Sequence, residues 1–262
     1  MRIVTLTATR QQRNWSHAPK RQAAEVSLAA TTLQTSLFGC ASCQPVTVKR
    51  EQAAALRRHR DARYSGAATG VEAMVGGAGI AAVVLVEGVS DRAALTALAG
   101  RRGRHLDKEG VSIVPMGGAT NIGHFLHLLG PGGSDVRLAG LCDAAEERDF
   151  RRELEVAHLR SNLTRADMEL LGFFVCDVDL EDELIRALGS ATVEQVIDDQ
   201  GELGSFRRFQ RQPAQRSKTL EDQLRRFLGT QSGRKIHYAS VLVDALDLAR
   251  VPLPLDRVLA HV

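Results

Sequence analysis

The run Val83-Val84-Leu85-Val86, closed by Glu87-Gly88, constrains the fold of this chain more than any other stretch. An unbroken apolar run bounded by turn residues reads as a strand buried on both faces, the form strands take in a parallel sheet covered by helices. Ala93-Ala94-Leu95 with Leu98 then read as one face of a helix. Glu87 and Asp91 therefore lie in a strand-to-helix loop. In an open parallel sheet such loops line the crevice beyond the carboxyl ends of the strands, where ligands bind.

The same punctuation recurs along the chain. Val111–Met116 reads as a second strand, and Gly117-Gly118 turns the chain into a helix over Asn121–Leu129. A third strand, Val136–Cys142, ends at Asp143; a helix through Glu146–Leu159 follows. Gly172–Cys176 is a fourth strand, running into an acidic cluster. Strands alternating with helices at this spacing imply right-handed crossovers and a Rossmann-like α/β fold, with a parallel sheet of about four strands flanked by helices. After Leu188 the pattern is helical, at about 191–200, 203–210, 219–228 and 234–248, before Pro252 and Pro254 open a short terminal segment. The reading divides the chain into a polar, basic and poorly ordered segment at 1–75, the α/β domain at 80–188 and a helical extension at 189–262.

Charge is unevenly placed. The formal net charge is +3, yet residues 1–80 hold eleven Lys/Arg against four Asp/Glu, so the remainder is net negative and the alkaline pI is no sign of a DNA-binding domain. Within that remainder, residues 204–235 carry nine basic residues against Glu221 and Asp222. Arg207, Arg208, Arg211, Lys218 and Arg234 from this stretch are candidate contacts to a phosphate backbone, the alternative being a solvated helical face. Cys40, Cys43, Cys142 and Cys176 give no disulfide framework for a chain of 262 residues, which points to a reducing compartment. No run approaches the length of a membrane span, and a soluble cytoplasmic protein is expected.

Three strand ends carry acids: Glu87 with Asp91, then Asp143, then Asp177, Asp179, Glu181 and Glu183. On one edge of a parallel sheet they converge, and like charges so close stay ionised only if a cation neutralises them. Oxygen-only ligands select a hard cation, Mg²⁺ or Mn²⁺, as one ion or a pair. Some of these acids also suit helix starts: Ser90 and Asp91 fit an N-cap, and Asp179 with the acids after it fits a first helical turn. For Asp91 capping and metal binding are both open. Glu87 and Asp143 are harder to explain in that way, since each directly follows a buried strand, with Gly88 or Ala144 leaving room for a ligand.

Other chemistries find little support. Gly117–Gly123 lacks the order of a dinucleotide fingerprint, the histidines form no HExxH or HxH cluster, and Ser90 lacks a nucleophile-elbow context. No Gly-x4-Gly-Lys-Ser/Thr phosphate loop occurs, so no ATP site is expected on this chain.

Leu85-Val86-Glu87-Gly88-Val89-Ser90-Asp91, the Gly117-Gly118 turn, Leu141-Cys142-Asp143 and Asp179-Leu180-Glu181 together resemble the TOPRIM domain of overcoming-lysogenization-defect (OLD) nucleases over about residues 80–188. More loosely, Arg234–Ala239 is similar to the lysine-bearing helix near the end of those domains. Residues 80–262 as a whole resemble stand-alone TOPRIM nucleotidyl transferase/hydrolase, or ATP-dependent endonuclease-like, proteins. The resemblance implies divalent-metal-dependent cleavage of DNA. It makes Glu87 a metal ligand or general base, and Asp91, Asp143, Asp179 and Glu181 metal contacts. Lys235 would stabilise charge on the transferring phosphate. Any ATP dependence would come from a separate ATPase chain.

The chain departs from that pattern at one position. The second acid of the family's Asp-x-Asp pair falls at 145, which is alanine here. Losing one oxygen ligand weakens a metal site unless Glu146, Glu147 or Asp177 substitutes. Two function classes follow: a Mg²⁺- or Mn²⁺-dependent nuclease, or a catalytically impaired TOPRIM module that binds nucleic acid or an ATPase partner.

Overall fold

The computed structural model describes residues 79–130, 136–157 and 159–262. The basic segment 1–75, the Cys40/Cys43 pair and the Pro131-Gly132-Gly133 turn lie outside them. The chain forms β1 (Ala82–Val86), α1 (Val89–Arg101), β2 (Val111–Pro115), α2 (Ile122–Leu129), β3 (Arg137–Cys142), α3 (Glu147–Val156), α4 (Arg165–Leu170) and β4 (Phe173–Val175). Six helices follow: α5 (Leu180–Leu188), α6 (Ser190–Asp199), α7 (Leu203–Gln210), α8 (Leu220–Leu228), α9 (Ser232–Ala245) and α10 (Leu253–His261). The strands pair only in parallel, in the order β2-β1-β3-β4, as the α/β reading requires. No helix among the described residues is long and apolar enough to cross a membrane.

The apolar run acts as expected. All five residues of β1 are buried, and alternate side chains enter two cores. Ala82, Val84 and Val86 join the face covered by α1 and the later helices; Val83 and Leu85 join the face covered by α2, α3 and α4. Burial of each such Val or Leu contributes roughly 1.5–3 kcal/mol, which is why β1, hydrogen-bonded on both sides, anchors the sheet.

Two helices had no counterpart in the sequence reading. Thr164 caps α4 by accepting from the Asp167 amide, and Asp167 in turn accepts from the Thr164 amide. This reciprocal pair stabilises a helix of a turn and a half with little amphipathic pattern. Near the C-terminus, Pro254 sits in the first turn of α10, where its missing N–H has no helical partner to lose, so the proline pair starts a helix instead of ending structure. α10 packs on β3 and β4. The helix expected to run to 248 stops at Ala245, because Leu246 is extended and Arg101 hydrogen-bonds the carbonyls of Val243 and Leu246.

Candidate metal centre

Strand order places the acids. β2 lies on one side of β1 and β3 on the other, so the loops leaving β1 and β3 diverge and open a crevice between them. Val86 is in register with Leu141, and Leu141 with Phe174, so Glu87 and Asp143 leave the sheet within a residue of the same level. The backbone of Glu87 is held from the side. The amides of Gly117 and Gly118 donate to its carbonyl at 3.0 and 3.1 Å. That turn needs glycine, because Gly117 has φ 72° and Gly118 φ 130°.

Glu87, Asp143 and Glu146 each bring a carboxylate oxygen within 4.8 Å of the other two. Glu87 Oε2 and Glu146 Oε2 are buried without a hydrogen-bond partner. Buried, unpaired carboxylate oxygens within one acidic cluster are unfavourable unless a cation sits among them. Burial, then the charges of Glu146 and Asp91, raise the pKa of Glu87. Asp143 is pushed up to about 8 by burial and by Asp91, Glu87 and Asp179. An all-oxygen set of this kind fits Mg²⁺ or Mn²⁺.

Glu146 follows the position at which the chain departs from the Asp-x-Asp pattern. Ala145, at the pattern's second position, is exposed. The Glu146 amide donates to the Asp143 carbonyl at 3.1 Å, closing a tight turn, and Glu146 is the N-cap of α3 instead of lying within it. This turn brings the acid at 146, rather than the side chain at 145, back to the strand ends. The other candidate substitutes are engaged elsewhere. Glu147 pairs with Arg165 at 2.6 Å, and Asp177 projects its side chain, 65% exposed, toward Arg165 and Arg186. The only trace of this in the sequence is an acid one place beyond the expected one.

The remaining acids sort by partner. Asp91 is both buried and a cap: its Oδ2 accepts from the Gly88 amide at 2.7 Å, and burial raises its pKa. Asp179 caps α5 through the Asp182 amide and pairs with Arg225 at 3.0 Å. Glu181 is 6% exposed, pairs with Lys235 Nζ at 3.2 Å through Oε2, and leaves Oε1 without a partner. Its pKa is raised, chiefly by burial. Burial works against the Lys235 ammonium, but Glu181, Asp91 and Asp143 raise its pKa nonetheless.

Of the basic residues singled out in the sequence, two are committed within the fold. Arg207 pairs with Glu194 at 2.6 Å, and Arg234 pairs with Glu202 at 2.8 Å while lying 4.2 Å over the Phe227 ring. Arg208, Arg211 and Lys218 have no carboxylate partner among the described residues, and the same holds for Arg216 and Arg226. α8, which carries Arg226, also carries Arg225 to Asp179, so this basic stretch adjoins the wall of the carboxylate crevice.

A four-stranded parallel sheet with acids gathered at its switch point defines an α/β domain that offers an all-oxygen set at its strand ends. Residues 81–144 match the family model of the overcoming lysogenization defect protein-like TOPRIM domain. Residues 81–144 are thus similar to an OLD-like TOPRIM domain, and TOPRIM domains bind divalent metals. The C-terminal region of the Burkholderia pseudomallei OLD protein has a similar fold, with TM-score 0.54 and 22% identity over 69% of this chain and 95% of that one. The C-terminal region of the Xanthomonas campestris pv. campestris OLD protein is 26% identical, with TM-score 0.52, over 69% of this chain and 93% of that one. No curated protein matches the chain.

Proposed function

We propose that this chain is a divalent-metal-dependent nuclease that hydrolyses phosphodiester bonds, with DNA as its substrate. The observation that carries this reading is the convergence of Glu87, Asp143 and Glu146 with two orphaned, buried oxygens. In this reading residues 80–188 form the catalytic domain and the helices of 189–262 wall its basic side. Glu87, Asp143 and Glu146 would hold the ion. Bound there, Mg²⁺ or Mn²⁺ supplies Lewis-acid polarisation of a phosphate oxygen and a lowered pKa for water. Asp91 fixes the β1–α1 loop through its hydrogen bond to Gly88, setting the direction in which Glu87 leaves the sheet. The Gly117-Gly118 amides hold the same residue from the β2 side. Lys235 places a positive charge beside the crevice, suited to charge building on a transferring phosphate. Arg208, Arg211 and Lys218 offer a sequence-independent track for the substrate backbone.

The alternative of an impaired module rested on Ala145, and Glu146 supplies the acid that this alanine lacks. A plasmid-nicking assay with Mg²⁺ and with Mn²⁺ tests the reading. Wild type is expected to nick, while Glu87→Ala and Asp143→Ala lose at least 100-fold and Glu146→Gln at least tenfold. Equal activity in wild type, Glu87→Ala and Asp143→Ala would remove the proposed active site.

A further inference from the structure

β2 forms one edge of the sheet and pairs with β1 alone. The Ala82 amide donates to the Gly110 carbonyl and the Met116 amide to the Val86 carbonyl, so Ser112 and Val114 bond inward to β1 while Val111, Ile113 and Pro115 turn their backbone outward. On that outer side the Leu106 carbonyl accepts from the Val111 amide, and Pro115 has no N–H to offer. The N–H and C=O of Ile113 and the C=O of Val111 are left without a backbone partner among the described residues. A groove of about 430 Å³ runs along this edge, between Val111–Ile113 and α1. Its helix wall is made of small residues, Thr96, Ala99 and Gly100. Gly100 is not required by the fold: its φ lies outside the left-handed region, and a Cβ there would meet no atom within 4 Å. Alanine would make the more stable helix, and what glycine adds is room in the groove.

Positive charge stands at the two ends of this groove and not in its middle. Arg92 is exposed in the first turn of α1, and His105 and Lys108 are exposed in the loop after that helix. Arg92 and Lys108 have no carboxylate partner among the described residues, Arg104 is committed to Glu109, and Asp107 is the one acid on the lining. From Arg92 to Arg101 the helix rises about 13.5 Å, the length of about four extended residues. We propose that the groove docks an extended segment of a partner protein with acids at both ends, which adds as a fifth strand beside β2. Its central backbone pairs with Val111 and Ile113, and its terminal carboxylates meet Arg92 and Lys108. A nucleic-acid strand, charged at every step, would set phosphates against the uncharged middle. A second copy of β2 would bring Arg92 and Lys108 against like charges, in either direction of pairing. Residues 1–80, with eleven Lys/Arg against four Asp/Glu, carry the same wrong sign. This surface does not depend on the metal reading above.

Fluorescence anisotropy of a blocked, labelled peptide, alternating Val and Thr over four residues between paired glutamates, tests this with the full chain. Wild type is expected to bind it, and Arg92→Glu/Lys108→Glu and Gly100→Gln are each expected to weaken binding about tenfold or more, the first by reversing charge and the second by filling the groove. Saturating peptide should also slow hydrogen exchange of the Ile113 amide, which charge attraction alone would not do. N-methylation of every second peptide amide should abolish binding in one register and spare it in the other. A wild type that binds no peptide, or binding that both variants leave unchanged, would overturn the proposal. So would binding with Ile113 exchange unaltered, because no strand is then added. An oligothymidylate that binds through Arg92 and Lys108 more tightly than the peptide would overturn it in favour of nucleic acid. Should Gly100→Gln fail to fold, Ile113 exchange and the N-methylated peptides decide the matter on the wild-type chain.

Discussion

Replacing Asp143 by asparagine should stabilise the metal-free protein. Its carboxyl is moved from an ordinary 3.8 to about 8, by burial first and then by Asp91, Glu87 and Asp179. An acid whose pKa is raised on folding favours the folded state at low pH and loses that contribution as pH rises, here from about 4 to about 8. Each pKa unit corresponds to about 1.4 kcal/mol. Screening by solvent at this half-buried site reduces the four-unit displacement to a cost of about 2 kcal/mol at pH 8.5. For an ordered region of this size that is roughly 4–8 °C in Tm. Thermal melts followed by circular dichroism in EDTA should therefore show Asp143→Asn melting higher than wild type at pH 8.5, with the gap narrowing toward pH 5. Adding Mg²⁺ should raise the wild-type Tm and leave that of the variant nearly unchanged. If Asp143→Asn melts at or below wild type in EDTA at pH 8.5, the carboxylates do not repel one another as their spacing implies, and the electrostatic case for a cation fails with them.

Two other perturbations probe the frame and the track. Gly118→Ala meets no atom within 4 Å but forces alanine to φ 130°, so it should cost about 2 kcal/mol through backbone strain and weaken Mn²⁺ binding by disturbing the turn that holds Glu87; unchanged urea denaturation and Mn²⁺ titration would dissociate the turn from the site. The triple variant Arg208→Ala/Arg211→Ala/Lys218→Ala should reduce the slope of log affinity for DNA against log salt by about 2 to 3, as expected for lost phosphate contacts; fluorescence anisotropy giving the same slope as wild type would assign these residues to a merely solvated face.

What the sequence disclosed and what it withheld divide along a physical line. Buried strands announce themselves, because a parallel sheet needs apolar residues on both faces, and Val83–Val86 satisfies that need without help from the rest of the chain. The acids that follow such strands were legible for the same reason. Partner choice was not. Nothing local separates Arg234, which lies on Phe227 and Glu202, from Arg211, which has neither, because the difference is made by helices distant in sequence. The same holds at Asp177, Asp179 and Glu181. Their two-residue spacing suggests equivalence, yet the start of α5 turns one to exposed arginines, one into a cap and one into the crevice. Position 145 carries this furthest. Spacing in a motif records where acids leave a sheet in chains whose turns are alike, but a ligand is defined by where its oxygen arrives. Here the Glu146 amide bonds back to the Asp143 carbonyl, and the carboxylate at 146, not the side chain at 145, gathers with those of Glu87 and Asp143. Loss of the motif residue therefore still leaves three carboxylates together, and the proposed site is tested by the position of their oxygens.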